Sequence, residues 1–568
     1  MQAIATHPSL AVCNVRSRGR LHRPSAGTIC FLSFLAVYLI AVSLIAARGL
    51  TFPLGSDGVS RVGIADRILF SRDPHLAAIG FVWSPLPIMV LLPLVALKPL
   101  LPILVSEGLA GTIVSALFMA GAVAQLRGIL VDSGVRRVWL WALTGAFALH
   151  PMIVLYAANG MSEAPFIFFL LVAGRRLLRW TRTREVDSLV ATGFYLALCY
   201  LTRYEAIFAV VAAAMVVAAV SATNSDGGLR RRLRSATVDS LLVGGPFAFS
   251  FVAWAAASWL LTGSAFEQFT STYGNQVQLQ TKGLAGHLSL FASQTLHWTV
   301  GLEPFLVLAG LACLVMVVRR RDWAALTIPA MLGAVFAFMT YAFVSGKLDS
   351  EIRYFILAIP LTVVMVGMAV APPPDWVGSR GEARWLSVRL LRPLRHLAPL
   401  VLVVSMLVTM PIALATLLNP ANDSSNARAV GALLNLGPLT SGQRLAATRA
   451  DVSLAVSHHI DSLHLGRGSV LLDDFDGFLI PMTSDDPAQY VTTSDRDFQE
   501  ILSDPGASGV RYVLIPEDTG LGTLDAVNRA YPGAYANGRG IGRLVMTFYD
   551  HSDGQMNWRL YQVGSPAT

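Results

Sequence analysis

Residues 28–47 form a stretch of about 20 residues without a charge, and apolar stretches recur at 103–125, 138–157, 163–179, 188–201, 205–222, 238–261, 302–318, 323–343, 354–371 and 398–418. A helix needs about 20 apolar residues to cross the hydrocarbon core of a bilayer. Backbone polar groups find no water there, so a crossing segment must satisfy them within a helix or a closed barrel. Composition agrees. The chain is 54% hydrophobic and 14% charged, where soluble domains carry about 25% charged residues. The pattern predicts a polytopic α-helical membrane protein of about eleven spans.

Charge sets the orientation. The N-terminal stretch NVRSRGRLHRPS precedes the first apolar run, and the pair Arg136 and Arg137, RRLLRWTRTR (175–184), RRRLR (230–234), RRR (319–321) and the basic segment from Arg380 to His396 fall between apolar runs. Cytoplasmic loops carry the excess of Lys and Arg. These clusters therefore belong to the cytoplasmic side, not to a nucleic-acid surface. For Arg127, Arg136 and Arg137 to be cytoplasmic, residues 84–126 must cross an odd number of times. Five prolines, Pro85, Pro87, Pro93, Pro99 and Pro102, break the first part. That part is expected to be interfacial or re-entrant, with 103–125 as the span. The run at 28–47 is long for a signal peptide and precedes further spans, so it reads as an uncleaved first span. The four cysteines, Cys13, Cys30, Cys199 and Cys313, suggest no disulfide framework or zinc site.

From Ala421 the texture changes. This part holds 10 Arg, no Lys and 17 Asp/Glu, a net charge near −7 against +8 for the whole chain. Short apolar runs at 470–474, 490–494, 511–515, 544–550 and 558–563 alternate with helical patterns near 445–464, 495–503 and 521–531, which predicts a small α/β domain. The expected organisation is a basic cytoplasmic N-terminus (1–27) and a transmembrane domain (28–420) with long external loops at 48–83 and 262–300. A soluble extracytoplasmic α/β domain (421–568) follows.

The densest cluster of acids and bases in the membrane half is RGLTFPLGSDGVSRVGIADRILFSRDPH (48–75). A carboxylate held at a membrane surface is costly without a partner or a task. Asp57 is the candidate catalytic carboxylate, with Arg61 and Asp66 as supporting groups in the same loop. Asp57 also suits a capping role on an amphipathic helix starting near Val59. Glu163 begins a span beside a short external turn. Arg203, Tyr204 and Glu205 occupy one external corner; Lys347, Asp349, Glu351, Arg353 and Tyr354 occupy another. His287, His297 and Glu303 edge the second long loop. An acid, a base and an anion-binding set thus face one aqueous edge. Transfer from a lipid phosphate to an external acceptor needs such a set: a carboxylate takes the acceptor's proton and cations hold the departing phosphate. Arg203 and Arg353 equally suit snorkelling at the interface, and Glu163 suits a helix N-terminus. His458, His459 and His464 with Asp473, Asp474 and Asp476 match no metal-ligand spacing.

In order, GSDGVSRVGIADRI, the Pro-rich WSPLPIMVLL, HPMIVLYAANGMSEAPF, LTRYEA and SEIRYFILAIP resemble the pieces of GT-C type integral-membrane glycosyltransferases, over about residues 28–418. That family includes protein O-mannosyltransferases and lipid A aminoarabinose transferases, which use polyprenyl-phosphate sugars. The resemblance implies that Asp57 is the loop-one catalytic aspartate and Glu163 the second acidic site. It puts Arg203 and Arg353 near the lipid phosphate; Lys347 and Tyr354, in the same loop as Arg353, are further candidates for holding it. Loop one has a single Asp after Ser56 where many relatives have an acidic pair, so a divalent cation stays an open question and no metal ligand is assigned.

The implied activity is an inverting glycosyltransferase of the cell envelope. It would move mannose, another hexose or a pentose from a polyprenyl-phosphate donor to a hydroxyl of an envelope glycan, lipid or protein. The expected location is the cytoplasmic membrane, with the bilayer as partner and no nucleic acid. A lipid-linked donor agrees with the lack of a glycine-rich nucleotide-binding loop. Two alternatives are a transporter or flippase of lipid-linked sugars, whose charges would line a path through the bilayer midplane, and a non-catalytic membrane scaffold with an external binding domain.

Overall fold

The structure is a computed structural model. It describes residues 25–372 apart from 55, 227, 275, 276, 279 and 281–287, and residues 392–564 apart from 423, 436, 442, 445–449 and 551–556. His287 and residues 380–391 of the basic segment lie outside the described residues.

The membrane half is helical. Helix α1 (Ala26–Ala47) packs on α3 (Leu109–Asp132), and between them in the chain comes α2 (Ser56–Phe70). Then follow α4 (Arg137–Ala148) and α5 (Pro151–Ala157), α6 (Glu163–Thr183), α7 (Val186–Thr202), α8 (Ala206–Asn224) and α9 (Leu229–Thr262). Helices α10 (Leu288–Leu302), α11 (Leu306–Arg320), α12 (Thr327–Val344), α13 (Ala358–Val370) and α14 (Arg392–Leu418) complete it. Among the described residues, seven helices are long and apolar enough to span, or nine if the bent pairs α4–α5 and α10–α11 each count as one. The expected eleven also counts α6, whose last turns are charged, and α7, which has only 17 residues.

Local chemistry explains where the elements depart from the expected runs. The span at 138–157 bends by 60° at His150–Pro151, where proline removes a helix donor. The second bent pair turns by 72° across residues 303–305, and its first half, α10, takes up residues that the sequence assigned to the second external loop. The Pro-rich stretch forms two short helices, Pro85–Met89 and Leu92–Val95, neither long enough to cross. The following span begins only at Leu109, after Gly108 turns left-handed at φ 67°.

The two ends of the bundle differ in chemistry. At the end where α3, α6, α11 and α13 finish, Arg175 pairs with Asp132 at 2.6 Å, Arg182 donates to the Asp132 carbonyl, and Arg320 donates to the Met368 and Ala369 carbonyls. The opposite end carries α2, the start of α6, the α7–α8 corner and the α12–α13 connection. The C-terminal domain packs there.

That domain is built on a five-stranded sheet of order β2-β1-β3-β5-β4. Strands β1 (Val470–Leu471), β2 (Tyr490–Val491) and β3 (Tyr512–Pro516) are parallel neighbours, while β4 (Gly542–Phe548) and β5 (Trp558–Val563) add an antiparallel edge. β3, β4 and β5 coincide with apolar runs of the sequence to within two residues at the ends, while β1 and β2 take up only the first two residues of the runs 470–474 and 490–494. Side chains alternate across a strand, so Val513 and Ile515 join one core with Phe498 and Val527, and Leu514 joins the other with Val456 and Ile460 of α15 (Asp451–Ser462).

Candidate active site

Asp57 is the second residue of α2, in its first turn and not at its cap, where the helix dipole favours a carboxylate. The helix forms because one face is apolar: Val59, Val62, Ala65 and Ile68 are buried. Gly58, next to Asp57, sits directly on the turn that precedes α6. A Cβ built on it would stand 2.5 Å from the backbone carbon of Gly160. Glycine is what allows this approach.

Arg353 Nη1 donates to Asp57 Oδ2 at 2.7 Å, and the same guanidinium pairs with Glu351. Arg203, at the end of α7, donates through Nη1 to Glu163 Oε1 at 2.7 Å and to Ser162 Oγ at 3.1 Å, and it pairs with Glu205 through Nε. Arg61 donates to the Asp57 carbonyl at 3.2 Å and lies 4.4 Å over the Trp83 ring. Burial would raise the Asp57 carboxyl, but Arg353 and then Arg61 outweigh it and hold it below its ordinary value. At Glu351, burial together with repulsion from Asp57 and Asp349 outweighs Arg353 and pushes the carboxyl up to about 7.

These groups, Glu163 apart, line a cavity of about 1430 Å³. Asp57, Arg61, Arg203, Glu205, Lys347, Glu351, Arg353 and Tyr354 form its polar floor. Ile207 and Phe208 of α8 face Phe338 and Met339 of α12 along an apolar wall. Phe475, Asp476, Thr493 and Trp558 of the C-terminal domain form its roof.

The sequence candidates separate into three positions. Asp57, Arg61, Arg203, Arg353, Lys347 and Tyr354 share this cavity. Glu163 stands behind Arg203, 2% exposed, and orients that guanidinium. Asp66 is held away from the floor by Lys98, whose Nζ lies 2.8 and 2.9 Å from its two oxygens. His297 is exposed and Glu303 is buried within the helices. Among the described residues, no three His, Cys, Asp or Glu side chains form a group that could hold a metal. Sequence reasoning assigned no role to Trp83 or Lys98. A lone lysine in an apolar run opposite an acidic helix was the available signal for the Asp66 partner.

No family model matches the sequence, and no curated protein matches it. Among solved structures it is similar to ArnT from Cupriavidus metallidurans bound to undecaprenyl phosphate, at 14% identity and TM-score 0.49, over 93% of this chain and 97% of that chain. The apo form of the same protein aligns over 94% and 98%, again at 14% identity and TM-score 0.49. The apo oligosaccharyltransferase of Archaeoglobus fulgidus aligns over 86% of this chain and 70% of that one, at 11% identity and TM-score 0.39.

Proposed function

We propose that this chain is a GT-C type integral-membrane glycosyltransferase that moves a sugar from a polyprenyl-phosphate donor to an acceptor hydroxyl outside the cytoplasmic membrane. The observation that carries the reading is one cavity with two kinds of wall. Its floor gathers the Asp57 carboxylate, with Glu205 and Glu351, among Arg353, Arg203, Arg61 and Lys347, and its side wall is the apolar face of α8 and α12. A lipid phosphate has both parts: an anion for the floor and a hydrocarbon tail for the wall. A midplane transporter path would distribute the charges along the helices instead.

The acceptor hydroxyl attacks the anomeric carbon while its proton passes to Asp57. The bond from that carbon to the phosphate oxygen breaks, and polyprenyl phosphate leaves with the electron pair. Direct displacement inverts the anomeric centre. Arg353, Arg203 and Lys347 stabilise the charge that grows on the phosphate. As the donor phosphate draws Arg353 away from Asp57, the carboxylate loses the partner that suppresses its basicity, and so becomes a better base once substrate is bound. Glu351, placed near neutrality, can take up a proton when the phosphate competes for Arg353. The donor sugar is mannose or another hexose or pentose, and the acceptor an envelope glycan, lipid or protein.

The test is transfer by purified protein from radiolabelled polyprenyl-phosphate mannose, then pentose donors, with wild type beside Asp57→Asn. Transfer that disappears in a folded Asp57→Asn variant supports the reading. Equal transfer by both removes Asp57 as the base. No transfer from any polyprenyl-phosphate sugar by the wild type sinks the proposal.

A further inference from the structure

We propose that the C-terminal domain positions the helix that carries Asp57. This inference rests on the functional reading above and gives the domain a role within it. Helix α2 is 15 residues long, which makes it roughly 22 Å from end to end. Asp57 is at one end. The C-terminal domain grips the other end and the turn beyond it.

The grip is electrostatic and specific. Arg67, in the last turn of α2, pairs with Asp474. Arg72 Nε donates to Asp495 Oδ2 at 2.9 Å, and its Nη2 pairs with Asp497. Asp73 accepts from the Arg496 guanidinium at 2.8 and 2.5 Å and from its backbone N–H at 3.2 Å. Three consecutive residues, Asp495, Arg496 and Asp497, thus bind two consecutive residues of the loop in alternating sign. Asp495 is buried to 1% side-chain exposure, so this contact is shielded from salt in a way that surface pairs are not. An apolar contact backs it: Phe478 and Met482 pack against Gly63 of α2, where a Cβ would stand 3.5 Å from the Met482 sulfur.

The other end of α2 is seated by the Gly58–Gly160 approach and tied by Arg353. A helix clamped at its C-terminal end and seated on a glycine at its N-terminal end has little freedom to slide or tilt. Misplacement of a reacting group by about 1 Å can cost on the order of 100-fold in rate. Arg67, Arg72 and Asp73, with Asp474, Asp495 and Arg496, are therefore positioning residues, acting through α2 on Asp57.

The experiment uses the full chain in lipid nanodiscs and two readouts. One is kcat and donor KM for transfer from polyprenyl-phosphate mannose. The other is amide hydrogen exchange over residues 58–70. The double variant Arg72→Gln/Asp495→Asn removes both charges without leaving either buried alone. It is expected to lower kcat about tenfold, leave donor KM within about twofold, and quicken α2 exchange, while Arg72→Lys recovers most of the rate. Arg496→Asp, which faces Asp73 with a like charge, should lower kcat about threefold, and the swap Asp73→Arg/Arg496→Asp should restore it. Folded variants with wild-type kcat and wild-type α2 exchange would overturn the proposal, as would a swap that restores neither. If the wild type transfers no sugar, the functional reading fails, and exchange over 58–70 alone decides whether the domain holds α2.

Discussion

Arg353 and Asp57 lie 296 positions apart in the chain and meet at 2.7 Å. One begins the last part of the membrane half and the other begins α2, so the ion pair closes the site across nearly the whole bundle. Arg353 serves Glu351 at the same time. Two carboxylates therefore hold this guanidinium, and an anion that enters the cavity must compete with both for it.

Arg353 should matter to the chemical step, where charge grows on the departing phosphate. Arg353→Gln is expected to lower kcat for sugar transfer by about 10²–10³-fold, the range seen when a charge-stabilising donor is removed. Arg353→Lys keeps the charge but not the planar fork, and should lose about tenfold. Steady-state kinetics with a fixed acceptor read both. A glutamine variant with wild-type kcat would place phosphate stabilisation elsewhere, on Arg203 first.

Gly58→Ala tests the seat of the helix that carries Asp57. The new methyl would fall 2.5 Å from the Gly160 backbone carbon and 2.6 Å from its oxygen. Backbone has nowhere to give, so α2 must shift. Overpacking of this kind costs about 1–3 kcal/mol, and the displaced Asp57 should cost on the order of 100-fold in kcat. Thermal unfolding and transfer rate are measured on the same preparation. Full activity in the alanine variant would mean that α2 does not rest on that turn.

Much of the fold was legible because membrane solvent leaves few choices. Uninterrupted apolar runs become helices, and prolines at 85 to 102 stop one run from crossing. The strands of the C-terminal domain were equally readable from short apolar runs separated by turn residues. The bends at His150–Pro151 and at residues 303–305 were not, although a proline, Pro151 or Pro304, sits at each. At the site, charged residues in external loops pointed to Asp57, Arg203 and Arg353. Their pairing partners were hidden, because Asp57–Arg353 and Arg72–Asp495 join segments hundreds of residues apart and no local pattern encodes such contacts. Glu163 shows the limit of position alone: it sits at the right helix start, yet it faces Arg203 and not the cavity.

Asp473 gives the chain a pH dependence of stability whose sign is unusual for a carboxylate. Burial first, and then repulsion from Asp474, push its carboxyl from 3.8 up to about 6, although Tyr273 donates to it at 2.8 Å and the Ala526 N–H at 2.7 Å. Its other neighbour, Asp525, is raised well above its ordinary value too, by burial and by Asp473 itself. Between about pH 4 and 6 the native state therefore binds more protons than the unfolded state, and stability falls as pH rises through that window. Asp73 works the other way. Its hydrogen bonds from Arg496 hold it well below the ordinary range, so its contribution is present at neutral pH and is lost only in strong acid. The full chain should thus unfold at a higher temperature near pH 5 than near pH 7.5. Asp473→Asn should flatten that slope by removing the proton while keeping an acceptor for Tyr273 and Ala526. Differential scanning fluorimetry across pH 4–8 in a fixed detergent reads it. A melting temperature that rises steadily from pH 5 to 7.5 in the wild type would show that Asp473 is ionised in the fold and that its carboxyl is better solvated than its contacts indicate.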